Sequence, residues 1–112
     1  MVRVFVYGSL KQRCNNHFVL EGAQCLGRYV TVPQYTMVDM GDYPAVVAGG
    51  VTAISGEVYT VSTRVFAALD VLEDYPCIYG RIMIDTDFGR AWMYVLREVG
   101  EYPRIISGDW QP

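Results

Sequence analysis

Glu73 is the residue whose surroundings are least suited to an anion. At about 100° per residue, Val65, Phe66, Leu69 and Leu72 share one arc of a helix over 63–73. Glu73 falls inside that arc, four residues after Leu69 and seven after Phe66. It also occupies the last turn, where the helix dipole disfavours a negative charge by ~0.3–1 kcal/mol when exposed. Burial would disfavour the charge further and raise the pKa. A carboxyl held against both preferences is a candidate general acid/base; the alternative is a frayed helix end with Glu73 in solvent. The second feature is Tyr7-Gly8-Ser9-Leu10, directly after a β-rich opening segment. Glycine there permits a sharp turn and leaves backbone N–H groups free for an anion or carbonyl oxygen, although turn chemistry alone also explains it.

Other reactive side chains form weaker patterns. Cys14-Asn15-Asn16-His17 contains a thiol and an imidazole, either a pair, half a metal site or an incidental loop. Cys77 is close in sequence to Glu73 and is either a nucleophile or a small packed residue. Arg81 is either a ligand for a substrate carboxylate or an ordinary strand arginine. The nine tyrosines are enough to line a pocket.

The elements that must position these groups alternate between two periods. Val2 to Tyr7 alternates with β-branched and aromatic residues and predicts a strand ending at Gly8. Lys11 to Asn16 reads as loop, and His17 to Leu20 as a short helix closed near Gly22. Cys25 to Val32 and Tyr35 to Met40 predict strands separated by Pro33, and Gly41-Asp42-Tyr43-Pro44 a turn. Ser55 to Val61 predicts a further strand. Ser62 then suits the N-cap of the one clear helix. Tyr79 to Thr86 and Arg90 to Leu96 predict a closing antiparallel hairpin turned by Asp87-Phe88-Gly89. About six strands and one clear helix predict an α+β fold, a small mixed sheet or partly closed barrel.

Composition narrows the function classes. A chain of 112 residues, 52% hydrophobic and 19% charged, suits one soluble domain over 1–112 and excludes disorder. Nine basic residues against twelve acidic ones give a net charge of −3, and no basic stripe exists for nucleic acid. No stretch approaches the roughly 20 apolar residues needed to cross a bilayer as a helix. Three irregularly spaced cysteines, one histidine and no basic n-region before an apolar h-region predict reduced thiols in a cytoplasm and no structural zinc site.

In order along the chain stand FVYGSL, GEVY at 56–59, ALDxLExYP at 68–76, YGR at 79–81, AWMYV at 91–95 and SGDW at 107–110. Together they resemble the gamma-glutamylcyclotransferase-like family, including its small bacterial members and gamma-glutamylamine cyclotransferase, over nearly the whole chain. The resemblance implies a small mixed β-barrel with short flanking helices and a cavity at one end. It implies that Tyr7, Gly8, Ser9 and Leu10 hold a γ-glutamyl group through backbone amides, that Glu73 shuttles the proton, and that Tyr94 lines the same pocket. The implied reaction is attack by the α-amine of a γ-glutamyl amine or γ-glutamyl amino acid on its own γ-carbonyl, giving 5-oxoproline and a free amine, with no metal or organic cofactor. The same scaffold without catalysis would be a binding module for a small carboxylate or amine. Many members carry glycine where this chain has Asp74. Aspartate accepts a left-handed helix cap less readily, and an ionised Asp74 close to Glu73 would raise the Glu73 pKa further. Ser9 and Lys11 replace the threonine and arginine frequent in the family.

Overall fold

A computed structural model describes all 112 residues. Seven strands form: β1 (Val2–Val6), β2 (Gln24–Val30), β3 (Tyr35–Asp39), β4 (Pro44–Ala48), β5 (Ser55–Val61), β6 (Tyr79–Thr86) and β7 (Gly89–Leu96). The helix α1 (Thr63–Leu72) joins β5 to β6. Its start is as expected: Ser62 is extended, and its hydroxyl accepts the Val65 N–H at 3.1 Å. The expected short flanking helices reduce to one 3₁₀ turn, His17–Leu20.

Five strands make a curled sheet in the order β2-β5-β1-β7-β6, and β3 and β4 make a separate hairpin. β1 runs antiparallel to β5 and parallel to β7, while β6 and β7 pair antiparallel as expected. The mixed α+β sheet is as expected, but the small β-barrel of about six strands that the resemblance implied is corrected to a curled five-stranded sheet and a separate hairpin. No ladder joins the edges β2 and β6. The separate hairpin lies with β4 against β7, and single bridges join Tyr35 to Thr52 and Val38 to Arg104. The strand absent from the sequence reading is β4. Pro44, Ala45 and Val46 are all buried, so no alternation marks it.

β1 is central and buried on both faces. Val4 and Val6 pack with Leu69 of α1, Tyr59 and Leu96, while Phe5 packs with Met37, Val46 and Met93. The turn after β1 therefore leaves the middle of the fold, between α1 and the β3–β4 hairpin. No helix is long and apolar enough to cross a membrane.

Candidate active site

A cavity of about 340 Å³ opens at the end of β1, and it brings together Tyr7, Gly8, Ser9, Leu10, Glu73 and Tyr94. All six residues that the family resemblance assigned to the site line it. Tyr43, Pro44, Leu72, Asp74, Ile78 and Tyr79 complete most of the remaining wall.

Glu73 reaches the cavity because of how α1 ends. The helix closes in a Schellman motif, with Tyr75 N–H donating to the Asp70 carbonyl (2.9 Å) and Asp74 N–H to that of Val71 (3.1 Å). Asp74 adopts φ 49°, the left-handed position that glycine fills most easily. Glu73 is the cap residue itself. Its backbone is still tied to Leu69 at 2.9 Å, and Leu69 is fully buried. The side chain therefore turns toward the core side of the helix end. Leu72, expected on the buried arc, is 43% exposed at the cavity rim instead.

The Glu73 carboxyl has neither a hydrogen-bond partner nor an ion-pair partner in the chain. It touches the cavity and keeps partial solvent contact, yet the surrounding protein desolvates it and lifts its pKa to about 7. Burial is the cause, and the expected contribution from Asp74, which is exposed, is not part of it. Tyr7 is pushed up by burial first, then by the nearby Glu73 charge and by Tyr79. Tyr79 is likewise raised by burial, then by Glu73. These phenols stay protonated at neutral pH and present neutral O–H groups around the carboxyl.

The turn after β1 supplies the opposite polarity. The N–H groups of Gly8, Ser9 and Leu10 donate to nothing in the chain, while the Gly8 carbonyl accepts from Lys11 N–H at 3.0 Å. Three unbonded amides at one cavity wall are a receptor for an anion or a carbonyl oxygen. Gly8 is not left-handed. It is required for a different reason, since a Cβ there would lie 2.9 Å from Cδ and Cγ of Pro44.

Tyr94 is fixed from both ends. Its hydroxyl donates to Asp70 Oδ1 at 2.7 Å, and its carbonyl accepts the Tyr7 hydroxyl at 2.9 Å. Asp70 in turn holds Arg81 through Nε–Oδ1 (3.1 Å) and Nη2–Oδ2 (3.2 Å) contacts. The guanidinium also lies 4.0 to 4.8 Å from the ring centroids of Tyr75, Phe66 and Trp92. Arg81 is thus committed to the wall behind the cavity and does not line it.

The thiol–imidazole reading gains no geometry. His17 Nδ1 lies 2.9 Å from the Leu10 carbonyl, and its link to Cys14 is a backbone hydrogen bond. Cys25 and Cys77 are exposed, and no three His, Cys, Asp or Glu side chains cluster as metal ligands. Tyr79, Tyr43 and Pro44 were not among the residues assigned to the site from sequence. The YGR motif was a visible signal for the first, whereas the others belong to segment 41–44, which composition marks only as a turn.

The family model described as Gamma-glutamyl cyclotransferase, AIG2-like matches residues 4–112. A Vibrio cholerae relative is 44% identical over 108 residues, covering 96% of this chain and 93% of its own length. The gamma-glutamylcyclotransferase family protein YtfP of Escherichia coli is 40% identical over 110 residues, covering 97% and 96%. Its solution structure superposes with a TM-score of 0.77 at 41% identity, again covering 97% and 96%. The crystal structure of a mouse AIG2-like protein (Mus musculus) shares the fold at 24% identity and a TM-score of 0.87, covering 99% of this chain and 88% of that one. The extent of the family match and the identity to these bacterial relatives lead to one conclusion: the chain belongs to the Gamma-glutamyl cyclotransferase, AIG2-like family.

Proposed function

We propose that this chain cleaves a γ-glutamyl amine or γ-glutamyl amino acid to 5-oxoproline and a free amine, with Glu73 as the acid/base. The observation that carries the reading is an unpaired, desolvated carboxyl in the same 340 Å³ cavity as three unbonded backbone amides. Membership of the family supports the reaction class. The match over residues 4–112 supports reading the whole chain as one domain, and three free thiols fit a reducing, cytoplasmic setting.

The substrate's α-ammonium must lose a proton before its nitrogen can attack, and Glu73 takes it. The nitrogen then adds to the γ-carbonyl, forming the ring C–N bond and an oxyanion. Collapse breaks the original amide C–N bond. The lactam nitrogen gives up a second proton, and both protons reach the leaving nitrogen through Glu73, so the protein ends as it began. A carboxyl with a pKa near neutrality does both jobs, because it neither holds nor releases the proton too firmly. The amides of Gly8 to Leu10 either hold the substrate's α-carboxylate or stabilise the oxyanion. Ring closure is intramolecular, so the remaining task is to fold the substrate against Glu73.

The test is release of 5-oxoproline from a panel of γ-glutamyl compounds, followed against pH. Glu73 must be ionised to accept the first proton, so kcat/KM is expected to rise with pH through about 7. A profile flat between pH 5.5 and 8.5 would remove Glu73 from the role. Binding of the compounds with no release of 5-oxoproline would identify a non-catalytic module on the same scaffold.

Gly8→Val probes the amide wall. The added side chain collides with the Pro44 ring and narrows the cavity. Overpacking of this kind costs roughly 1–3 kcal/mol of stability, and with the amide wall crowded the 5-oxoproline affinity by calorimetry is expected to fall about tenfold. Unchanged affinity in a folded variant would reduce the segment to a turn.

A further inference from the structure

A second cavity, of about 450 Å³, opens beside the segment that follows the amide turn, and it shares no lining residue with the first. Its character is different. Only one of its ten lining residues is hydrophobic, and its charged side chains are Lys11, Arg13, Arg28 and Glu57. Three cations therefore meet one carboxylate, in a chain whose net charge is −3. Two of the four are already committed. Lys11 Nζ donates to the Trp110 carbonyl at 2.7 Å and lies 3.7 Å from Asp109 Oδ1. Glu57 Oε1 accepts the Gln12 N–H at 3.0 Å and the Tyr59 hydroxyl at 2.9 Å, which ties the segment to β5.

Arg13 and Arg28 are not committed. Neither guanidinium donates to the chain or pairs with a carboxylate, although Arg28 stands opposite Glu57 in the β2–β5 register. Arg13 is also held in a strained backbone, since its φ of 68° is left-handed, a conformation that glycine adopts more readily. Such strain around an unpaired charge at a cavity points to a ligand. The Arg13 N–H donates to nothing in the chain, and Ser55 adds a hydroxyl to the same wall. Two guanidinium forks from separate elements suit a tetrahedral oxyanion, because it offers oxygens to both while a lone carboxylate satisfies one fork. We infer that this cavity binds a phosphoryl dianion, either inorganic phosphate or the phosphate of a polar monoester, at a site separate from the reaction cavity. Its polar walls suit a hydroxylated body rather than an apolar one.

Calorimetry with inorganic phosphate and with glycerol phosphate tests the site, acetate serving as the singly charged control. Both phosphates are expected to bind with Kd below about 1 mM, more tightly than acetate, and to weaken about tenfold at high salt. Tighter binding of glycerol phosphate would make the monoester the ligand, and equal affinity would make it the phosphate alone. Arg28→Gln and Arg13→Gly are each expected to weaken phosphate about tenfold, one charge-assisted fork being lost. Arg13→Gly should melt no lower than wild type, since glycine accepts the left-handed turn without strain; if it fails to fold, Arg28→Gln alone decides. Gly8→Val, which crowds the other anion receptor, should leave phosphate affinity unchanged. No phosphate binding by the wild type, or wild-type affinity in either folded arginine variant, would overturn the site. Weakened phosphate binding in Gly8→Val, or displacement of phosphate by 5-oxoproline, would move the anion to the amide turn and overturn it equally.

Discussion

Glu73→Gln is expected to lower turnover by about 10²–10⁴-fold, the usual worth of a positioned acid/base. Glutamine keeps the size and reach of the side chain but cannot carry a proton to and fro at neutral pH. Stability should move in the opposite direction, and only at certain pH values. The folded pKa of about 7 lies above the ordinary 4.5, so between these values the folded chain binds the extra proton and stability falls as pH rises. The penalty is fully present above about 7 and vanishes below the ordinary value. It is at most about 3 kcal/mol, and smaller where solvent at the cavity screens the charge. The variant should therefore match wild type at pH 4.5 and melt a few degrees higher at pH 8. Kinetics at both pH values, with calorimetric melting beside them, check the pair of effects. A variant that turns over normally, or one inactive because it unfolds, would exclude Glu73 as the acid/base.

Arg81→Ala is expected to lower the free energy of unfolding by about 2–4 kcal/mol. The Arg81 and Asp70 side chains are only 17% and 23% exposed, and their contact is bidentate. Removing the guanidinium takes the packing from three rings and leaves Asp70 with the Tyr94 hydroxyl alone. Burial pushes the Asp70 pKa up, but the hydrogen bonds from Arg81 and Tyr94 outweigh it and hold the carboxyl below its ordinary value. Its stabilisation is therefore present above the ordinary carboxylate range and is lost as pH falls through the folded value. Arg81→Ala should flatten that acid dependence as well as lower the plateau. Urea titration measures both, and 5-oxoproline affinity in the folded variant should change by less than about twofold. Lost affinity with intact stability would instead make Arg81 a ligand for the substrate carboxylate.

The two residues differ in how plainly the sequence exposed them. Glu73 was visible because a ten-residue helix has a readable period, and an anion on its apolar arc breaks that period. The same period misplaced Leu72, since the helix ends there and the chain turns through Asp74. Arg81 offered no such contrast. Its partner Asp70 lies eleven residues away on another element, and its rings come from Phe66, Tyr75 and Trp92. Gly8 was singled out for a backbone freedom it does not use, because the Pro44 ring that actually forbids a Cβ belongs to a strand without alternation. The antiparallel closing hairpin was legible from alternation and its turn residues. Whether the sheet closes was not, because alternation within a strand does not say whether the edges β2 and β6 meet, and no ladder joins them.

The position of β1 also governs when a growing chain first possesses a site. Tyr7 and the amide turn are made almost at once, and β5 offers β1 its antiparallel neighbour by residue 61. The other neighbour, β7, supplies both the parallel pairing at Trp92 and the carbonyl of Tyr94, 87 residues beyond the Tyr7 hydroxyl that it accepts. Contacts of such high contact order form late, because loop closure must be met before they are rewarded. A nascent chain that has extended through Glu73 therefore carries the turn and the acid, yet still lacks the strand that sets them against the same cavity wall.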